Sequence, residues 1–164
     1  QYVFCATRDG QAIRFKEEEA RAMGRQARGV TAMDLADRDY IVAAEVVDKD
    51  TLVLSIAENG FGKRTPVTEY RLTHRAGKGV KLMEVTKKTG PVVTVLPVTE
   101  TSEVMLITAD GKIIRIDSTQ IRQSGRGSQG VRLVKAEEGD RVAAAALAPE
   151  SETEGEDGQG SLIQ

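Results

Sequence analysis

The sequence is poor in the residues that carry redox, metal and aromatic chemistry. Its 164 residues include one cysteine, one histidine, three tyrosines, three phenylalanines and no tryptophan. Cys5 cannot form an internal disulfide and no signal-peptide pattern is present, so we expect a cytoplasmic location. No apolar run approaches the roughly 20 residues that a membrane-spanning helix requires. The lone His74, beside Arg75, is typical of a polar surface and cannot form a zinc site with a single cysteine.

Motifs of known catalytic chemistry are also missing. The sequence has no Gly-x-x-x-x-Gly-Lys-Ser/Thr phosphate loop, no Gly-x-Ser-x-Gly nucleophile elbow and no paired-carboxylate cluster. Asp37, Asp39, Asp48 and Asp50 lack the spacing of a calcium loop and are interpreted as turn residues. We therefore predict no catalytic residue, metal or cofactor in this chain, and a function in binding.

Charge is distributed unevenly along the chain. There are 23 basic and 25 acidic residues, and residues 150–164 contain five of the acids and no base, which leaves residues 1–149 at +3. We expect this acidic tail to be disordered; it either aids solubility only or folds back and competes with an anionic partner. Gln1 is not a start methionine and a strand pattern begins at Tyr2, so we expect a fragment of a longer chain.

What the chain does contain is a repeat of about 50 residues. An Asp-Gly or Asn-Gly pair, which favours a tight hairpin turn, recurs between β-rich runs at spacings of 50 and 51 residues. These pairs are Asp9-Gly10, Asn59-Gly60 and Asp110-Gly111. A Gly-Val dipeptide that opens a further strand recurs in the same register, at residues 29–30, 79–80 and 130–131.

Each repeat predicts four short strands, and the units are residues 1–50, 51–102 and 103–149. In each unit, the first two strands flank the hairpin turn, and a polar loop separates them from the other two. In the first unit, we expect one helical turn in this loop, at residues 16–21. The expected strands are residues 2–6, 12–15, 30–35 and 40–47, then 52–57, 63–67, 80–85 and 91–98, then 104–108, 112–116, 131–134 and 141–147. Because these runs are rich in Val, Ile and Thr and have no helical period, they predict an all-β, propeller-like array with about three four-stranded blades.

Basic residues recur at equivalent positions of the three units. Three columns contain arginine in every unit, and a fourth contains Arg28, Lys78 and then Gln129. The three arginine columns are Arg14, Arg64 and Arg115; Arg21, Arg71 and Arg122; and Arg25, Arg75 and Arg126. With Lys63, the basic members of these columns are the candidate DNA-binding residues.

The recurrence of basic residues at equivalent positions predicts a surface that binds a polyanion, because repeated blades place the same basic group at regular steps along one surface. Arginine suits phosphate because its planar fork donates two hydrogen bonds. The small number of aromatic residues argues against binding of a single-stranded nucleic acid by base stacking. No recognition helix is evident either, so contact with the backbone of a duplex is favoured. Two alternatives stay open: a propeller fragment whose basic rim binds an acidic protein, and a purely structural array.

Four stretches of the sequence match the motifs of a known family: residues 58–70 (ENGFGKRTPVTEY), 110–115 (DGKIIR), 14–16 (RFK) and 21–24 (RAMG). On these motifs, the chain resembles the C-terminal domain of the bacterial DNA gyrase A protein over residues 1–149. The family's box Gln-Arg-Arg-Gly-Gly-Lys-Gly is incomplete: residues 73–79 (THRAGKG) keep only Arg75, Gly77, Lys78 and Gly79. The incomplete box weakens the distinction from the paralogous A protein of topoisomerase IV, whereas residues 61–70 favour gyrase.

The resemblance implies a six-bladed, hairpin-exchanged propeller, the β-pinwheel, of which this chain represents about the last three blades. In that family, duplex DNA bends around the basic outer rim and is delivered to the cleavage gate, which serves ATP-driven negative supercoiling. It implies that the catalytic tyrosine and the ATPase lie outside this chain and that the parent enzyme uses ATP and Mg. The implied partners are duplex DNA, the rest of the gyrase A protein, and the gyrase B protein, in a bacterial cytoplasm and associated with the nucleoid.

Overall fold

The computed structural model describes residues 1–20, 29–135 and 137–149, and it confirms the all-β class. The strands are β1 Tyr2–Thr7, β2 Gln11–Lys16, β3 Ile41–Val47, β4 Leu52–Ala57, β5 Phe61–Pro66, β6 Leu72–Thr73, β7 Val80–Lys81, β8 Val92–Val98, β9 Glu103–Thr108, β10 Ile113–Asp117, β11 Val131–Arg132 and β12 Val142–Leu147. Short 3-10 helices span Glu17–Ala20, Val67–Glu69 and Ser118–Gln120. Among the described residues, no helix is long and apolar enough to cross a membrane.

The three predicted hairpins are present as antiparallel pairs: β1 with β2, β4 with β5, and β9 with β10. Their turns place Gly10, Gly60 and Gly111 at φ values of 92°, 90° and 89°. A side chain with a Cβ atom is strained at such angles, which explains why glycine recurs at this position. The last strand of each unit, β3, β8 or β12, pairs with the first strand of its own hairpin.

Each later unit also contributes strands to the sheet of the unit before it. β6 and β7 of the second unit both pair with β2 of the first, and β11 of the third unit pairs with β5 of the second. The resulting orders are β3-β1-β2-β6 with β7 also on β2, β8-β4-β5-β11, and β12-β9-β10. Strand exchange between units, which the sequence resemblance implied, is therefore a feature of this fold.

The third strand of each unit is shorter than predicted. β7 and β11 have two residues each, because the chain leaves the sheet edge as soon as Leu82 and its equivalent Leu133 bond to the neighbouring hairpin turn. Leu82 is fully buried in the core. The expected strand at residues 30–35 is reduced to one bridge, between Met33 and Gly77, because the described residues contain no earlier sheet to which it could be added.

Apolar side chains fill the spaces between adjacent sheets. Phe4, Tyr70 and Leu82 belong to the cluster that joins the first and second sheets, and Phe4 and Tyr70 meet edge to face with 4.9 Å between ring centroids. Leu54 and Leu106 belong to the cluster that joins the second and third sheets. The free Cys5 is buried, and burial raises the pKa of its thiol.

The sheet order determines which edge carries the exchanged strands. β3 and β12 both contact β8, so the last strands of the three units lie next to one another. In the first two sheets, β6, β7 and β11 lie on the far side of the hairpins from these last strands. We call the side that carries the exchanged strands the outer edge.

Candidate nucleic-acid interface

Two equivalent loops bring predicted basic residues to the outer edge. These exchanged loops are residues 71–81 and 122–132, and each follows a 3-10 helix and crosses the second strand of the preceding unit. Backbone bonds fix their courses: Ala76 donates to Ala32 at 2.7 Å in the first, and Ser124 donates to Arg64 at 2.9 Å in the second. The exchanged loops are thus held as a part of the neighbouring sheet.

Glycine at the end of each exchanged loop allows a close approach to that sheet. Gly79 and Gly130 have φ values of 81° and 77°. A Cβ atom at Gly79 would lie 2.3 Å from the carbonyl oxygen of Ala12, and one at Gly130 would lie 2.3 Å from that of Gly62. The repeated Gly-Val landmark therefore marks the point at which the exchanged strand joins its neighbour.

Arg14 and Arg64 are buried and join one unit to the next. The Nε of Arg14 donates to the carbonyl of Tyr70 at 2.8 Å, and the Nε of Arg64 donates to the carbonyl of Ile121 at 2.7 Å. Both acceptors follow the 3-10 helix of the next unit. Arg115, the third member of this column, is exposed and lies 3.7 Å from a carboxylate oxygen of Glu103.

Lys63 is fully buried beneath the second exchanged loop. Its Nζ donates to the carbonyls of Gly125, Arg126 and Ser128 at 2.9, 2.6 and 2.7 Å. Burial lowers the pKa of Lys63 to about 8, while the charge of Glu69 opposes this change. An ammonium group has three donors, and here all three are used within the protein.

Arg75 and Arg126 are half-buried and make one matched pair of contacts each. The Nη1 of Arg75 donates to the carbonyl of Thr31 at 3.3 Å, and that of Arg126 donates to the carbonyl of Lys81 at 2.8 Å. Their backbone N–H groups donate to Oε1 of Glu19 and Glu69, at 3.3 and 3.2 Å. A guanidinium has five N–H donors, so each side chain retains donors for an anion.

Arg71, Lys78 and Arg122 are the exposed members of the predicted set in the exchanged loops. None of the hydrogen bonds or ion pairs formed among the described residues involves the guanidinium of Arg71 or Arg122. The remaining predicted residues, Arg21, Arg25 and Arg28, lie outside the described residues, as does the acidic tail.

The structure brings further cations to the same edge that the column analysis did not include. The guanidinium carbon of Arg132 lies 5.1 Å from the ring centroid of Phe61, and the Nζ of Lys88 lies 5.5 Å from it. Lys81 is exposed and forms an ion pair with Glu84, at 2.6 Å, which lowers the pKa of that carboxyl. Arg132 and Lys81 occupy equivalent positions, so a search for mixed Lys and Arg columns would have found them.

The aspartates interpreted as turn residues lie in or beside turns, and the carboxylates of two of them, Asp39 and Asp48, accept hydrogen bonds there. Oδ1 of Asp39 accepts from the N–H groups of Asp9 and Tyr40, at 3.0 and 2.9 Å, and Asp48 accepts from Asp50 and Thr51. In the described part of the chain, no group of three or more His, Cys, Asp or Glu side chains is arranged to hold a metal ion.

Comparison with known families agrees with an all-β architecture built from three repeated units. The family described as "DNA gyrase C-terminal domain, beta-propeller" matches residues 1–48, 51–99 and 102–149. The chain belongs to this gyrase C-terminal domain family. The resemblance noted in its sequence is thereby confirmed.

Curated relatives support the same assignment. The DNA gyrase A protein of Staphylococcus epidermidis (strain ATCC 12228 / FDA PCI 1200) is 41% identical over 152 residues, which are 92% of this chain and 17% of that protein. Its counterpart from Campylobacter fetus is 40% identical over 157 residues, or 94% of this chain and 18% of that protein. The chain thus spans less than a fifth of the length of these gyrase A proteins.

Solved structures of the family have the same architecture. A DNA gyrase A C-terminal domain matches with a TM-score of 0.83 and 25% identity, over 91% of this chain and 51% of that one. A topoisomerase IV C-terminal domain matches with a TM-score of 0.84 and 27% identity, over 99% of this chain and 51% of that one. The fold of this chain is therefore found in C-terminal domains of both DNA gyrase A and topoisomerase IV.

Proposed function

We propose that this chain binds duplex DNA along its outer edge without reading sequence, and that it bends and wraps the duplex there for negative supercoiling by gyrase. The observation that carries the proposal is the equivalence of the two exchanged loops. Each presents an exposed arginine at the same position, Arg71 or Arg122, on a backbone anchored to the preceding sheet. Regularly repeated cations of this kind suit the duplex backbone, which carries one charge per about 1.7 Å of axis.

The exposed residues carry this proposal, and the buried ones support it indirectly. Arg71, Arg122 and Lys78 are open to solvent, and Arg75 and Arg126 keep donors beyond their contacts with the protein. Bending a short duplex by 40–90° costs on the order of 1–6 kcal/mol, which several phosphate contacts together offset. The candidate residues Arg14, Arg64 and Lys63 are better suited to holding the loops in place, because their donors are engaged by backbone carbonyls.

A salt series of duplex titrations tests the proposal. If about six phosphates are neutralised, the logarithm of the association constant falls against the logarithm of salt concentration with a slope near −5. The double variant Arg71→Glu with Arg122→Glu is expected to bind at least about tenfold more weakly, and equally so on unrelated sequences. The matched control is Lys49→Glu with Arg141→Glu, which makes the same charge change at exposed positions outside the exchanged loops.

A flat salt dependence, or equal losses in the test and control variants, would contradict DNA binding at the outer edge. Tighter binding to an acidic protein than to DNA at matched salt would favour the alternative of a protein-binding rim. Bending is measured separately, by energy transfer between dyes at the two ends of the duplex. No change in end-to-end distance on binding would limit the function to binding without bending.

We extend the proposal to the parent enzyme on the strength of the family. The chain acts as a part of the gyrase A protein, together with the gyrase B protein, in the bacterial cytoplasm and close to the nucleoid. Catalysis, ATP and Mg belong to other parts of that assembly, and this chain contributes no cofactor site.

A further inference from the structure

The hairpin turns of the three units differ in the sign of their charge. Each hairpin turn is hydrogen-bonded to the turn that precedes the last strand of its unit, and the corresponding positions are residues 9 and 37–39, 59 and 87–89, and 110 and 138–140. These positions contain three acids and one base in the first unit, two bases and no acid in the second, and three acids and no base in the third. The turns of the second unit are therefore the ones suited to an anion.

The second unit keeps the contact between its two turns without a carboxylate. In the first unit, the N–H of Asp9 donates to Oδ1 of Asp39 at 3.0 Å, and the third unit has the same bond between two aspartates, at 3.1 Å. In the second unit, the N–H of Asn59 donates to the backbone carbonyl of Thr89 at 2.9 Å. Because a neutral pair and a pair of aspartates both satisfy the turn, the fold does not determine the charge at this place.

Two cations lie over one aromatic ring beside these turns. The Cζ of Arg132 is 5.1 Å and the Nζ of Lys88 is 5.5 Å from the ring centroid of Phe61, so the two charges lie within about 11 Å of each other. Phe61 is buried, whereas both cations are exposed. Pairing of β11 with β5 holds Arg132, and the Nδ2 of Asn59 donates to the carbonyls of Lys87 and Lys88, at 3.2 and 3.1 Å. We call Phe61, Lys88 and Arg132 the Phe61 cluster.

The two cations of the Phe61 cluster are not neutralised within the described structure. Among residues 1–20, 29–135 and 137–149, no ion pair involves Lys88 or Arg132. Glu58, which precedes the hairpin turn, forms an ion pair with Arg141 at 3.5 Å. Two like charges held close together without a carboxylate partner favour the binding of an anion.

The corresponding places in the other two units contain cations that are already paired. In the first exchanged loop, Lys81 lies opposite Gln11 and forms an ion pair with Glu84. In the third unit, Lys112 forms an ion pair with Glu137. Glutamine and lysine thus occupy the positions at which the second unit has its aromatic ring. The Phe61 cluster is a feature of the second unit and does not follow from the repeat itself.

We propose that the Phe61 cluster is a second contact with the duplex, at which Lys88 and Arg132 each neutralise a phosphate of the backbone. Phe61 is a positioning residue, because its ring holds both cations at the surface while it is itself buried. The cluster is continuous with the second exchanged loop, which ends at Arg132, so one duplex contacts both. The acidic turns of the first and third units are not contacted. This inference rests on the proposed DNA-binding function.

Salt titrations of the intact 164-residue chain with a duplex of arbitrary sequence test this contact. In the double variant Arg132→Gln with Lys88→Gln, two phosphate contacts are lost. We therefore expect the slope of the logarithm of the association constant against the logarithm of salt concentration to become less steep by about 1.8, and the affinity at low salt to fall at least about tenfold. The matched control, Arg38→Gln with Lys112→Gln, removes one exposed cation from the turns of each other unit and should change the slope by less than about 0.5.

An unchanged slope in the double variant, or equal changes in the double variant and its control, overturns the Phe61 cluster as a contact with DNA. The proposed function survives that result if Arg71→Glu with Arg122→Glu still weakens binding. Absence of salt-dependent duplex binding by the unchanged chain overturns both.

The positioning role of Phe61 is tested with Phe61→Gln, which adopts the residue of the first unit and keeps both charges. Because the cations are retained but less well ordered, the affinity should fall about threefold with an unchanged salt slope. Added to Arg132→Gln with Lys88→Gln, the same substitution should have no further effect, whereas a general loss of structure would weaken binding in both backgrounds. Equal losses in both backgrounds overturn the positioning role. If Phe61→Gln does not fold, the variants at the exposed cations still test the contact itself.

Discussion

The Nε of Arg64 donates to the carbonyl of Ile121 at 2.7 Å, so a side chain of one hairpin holds the end of the 3-10 helix in the next unit. Arg14 makes the corresponding bond to Tyr70 at 2.8 Å, which shows that the contact is a repeated part of the architecture. Both guanidinium groups are buried, whereas Arg115 in the third unit is exposed. The same arginine column therefore contains two structural residues and one surface residue.

Removal of the side chain should destabilise the fold much more at Arg64, which is buried, than at Arg115, which is exposed. Arg64→Ala leaves the carbonyl of the buried Ile121 without its donor, and we expect the free energy of unfolding to fall by about 2–4 kcal/mol. Arg115→Ala removes only an exposed ion pair, and the expected loss is below about 1 kcal/mol. Urea denaturation of the two variants measures both values. Losses of equal size would show that the buried bond is not a link between units.

Stability at alkaline pH should report on Lys63. Its pKa is about 8 in the folded chain instead of the ordinary 10.5, so between these values the unfolded chain binds a proton that the folded chain does not. The free energy of unfolding therefore gains a contribution as pH rises from about 8 to 10.5, of up to about 3 kcal/mol. Lys63→Ile lacks this contribution, so the stability of the unchanged chain relative to the variant should increase over this range. A difference that stays constant with pH would contradict the lowered pKa.

Substitutions at two glycines should separate backbone strain from close contact. Gly111 and Gly130 both have positive φ, 89° and 77°, but a Cβ at Gly111 meets no atom within 4 Å. Gly111→Ala should therefore cost about 1–2 kcal/mol through strain alone. Gly130→Ala adds a clash with the carbonyl oxygen of Gly62 at 2.3 Å, and its cost should exceed that of Gly111→Ala by at least about 1 kcal/mol. Thermal unfolding compares the two, and equal melting temperatures would show that β11 is not closely held against β5.

Local chemistry explains which parts of the fold could be predicted from the sequence. An Asp-Gly or Asn-Gly turn requires a positive φ at glycine, so Gly10, Gly60 and Gly111 identified the hairpins without any tertiary information. The strands on either side of these turns contain short runs of alternating or clustered apolar residues. The sequence therefore predicts these strands with only small errors in where they begin and end. The lengths of the third strands were overestimated because their pairing partners belong to another unit. A β-rich sequence does not show how many of its residues will pair with a strand that is distant in the chain.

The functions of individual basic residues were harder to read. A column of arginines at equivalent positions arises equally from contacts with phosphate and from contacts with a carbonyl of the next unit. Only burial separates Arg14 and Arg64 from Arg71 and Arg122. Lys63 did carry a signal, since it is a charged residue in a column that otherwise contains Ile13 and Ile114. A comparison of what differs between repeats would have singled it out.

Strand exchange also determines how a load would pass through the molecule. A duplex that pulls on residues 122–132 applies force to a segment whose backbone pairs with β5 while its covalent continuation belongs to the third sheet. The tension is shared between two sheets, and the third unit cannot be pulled away from the second without breaking the β5–β11 edge of the second sheet. The units are therefore mechanically interlocked, and we expect them to yield together under stretching rather than one after another.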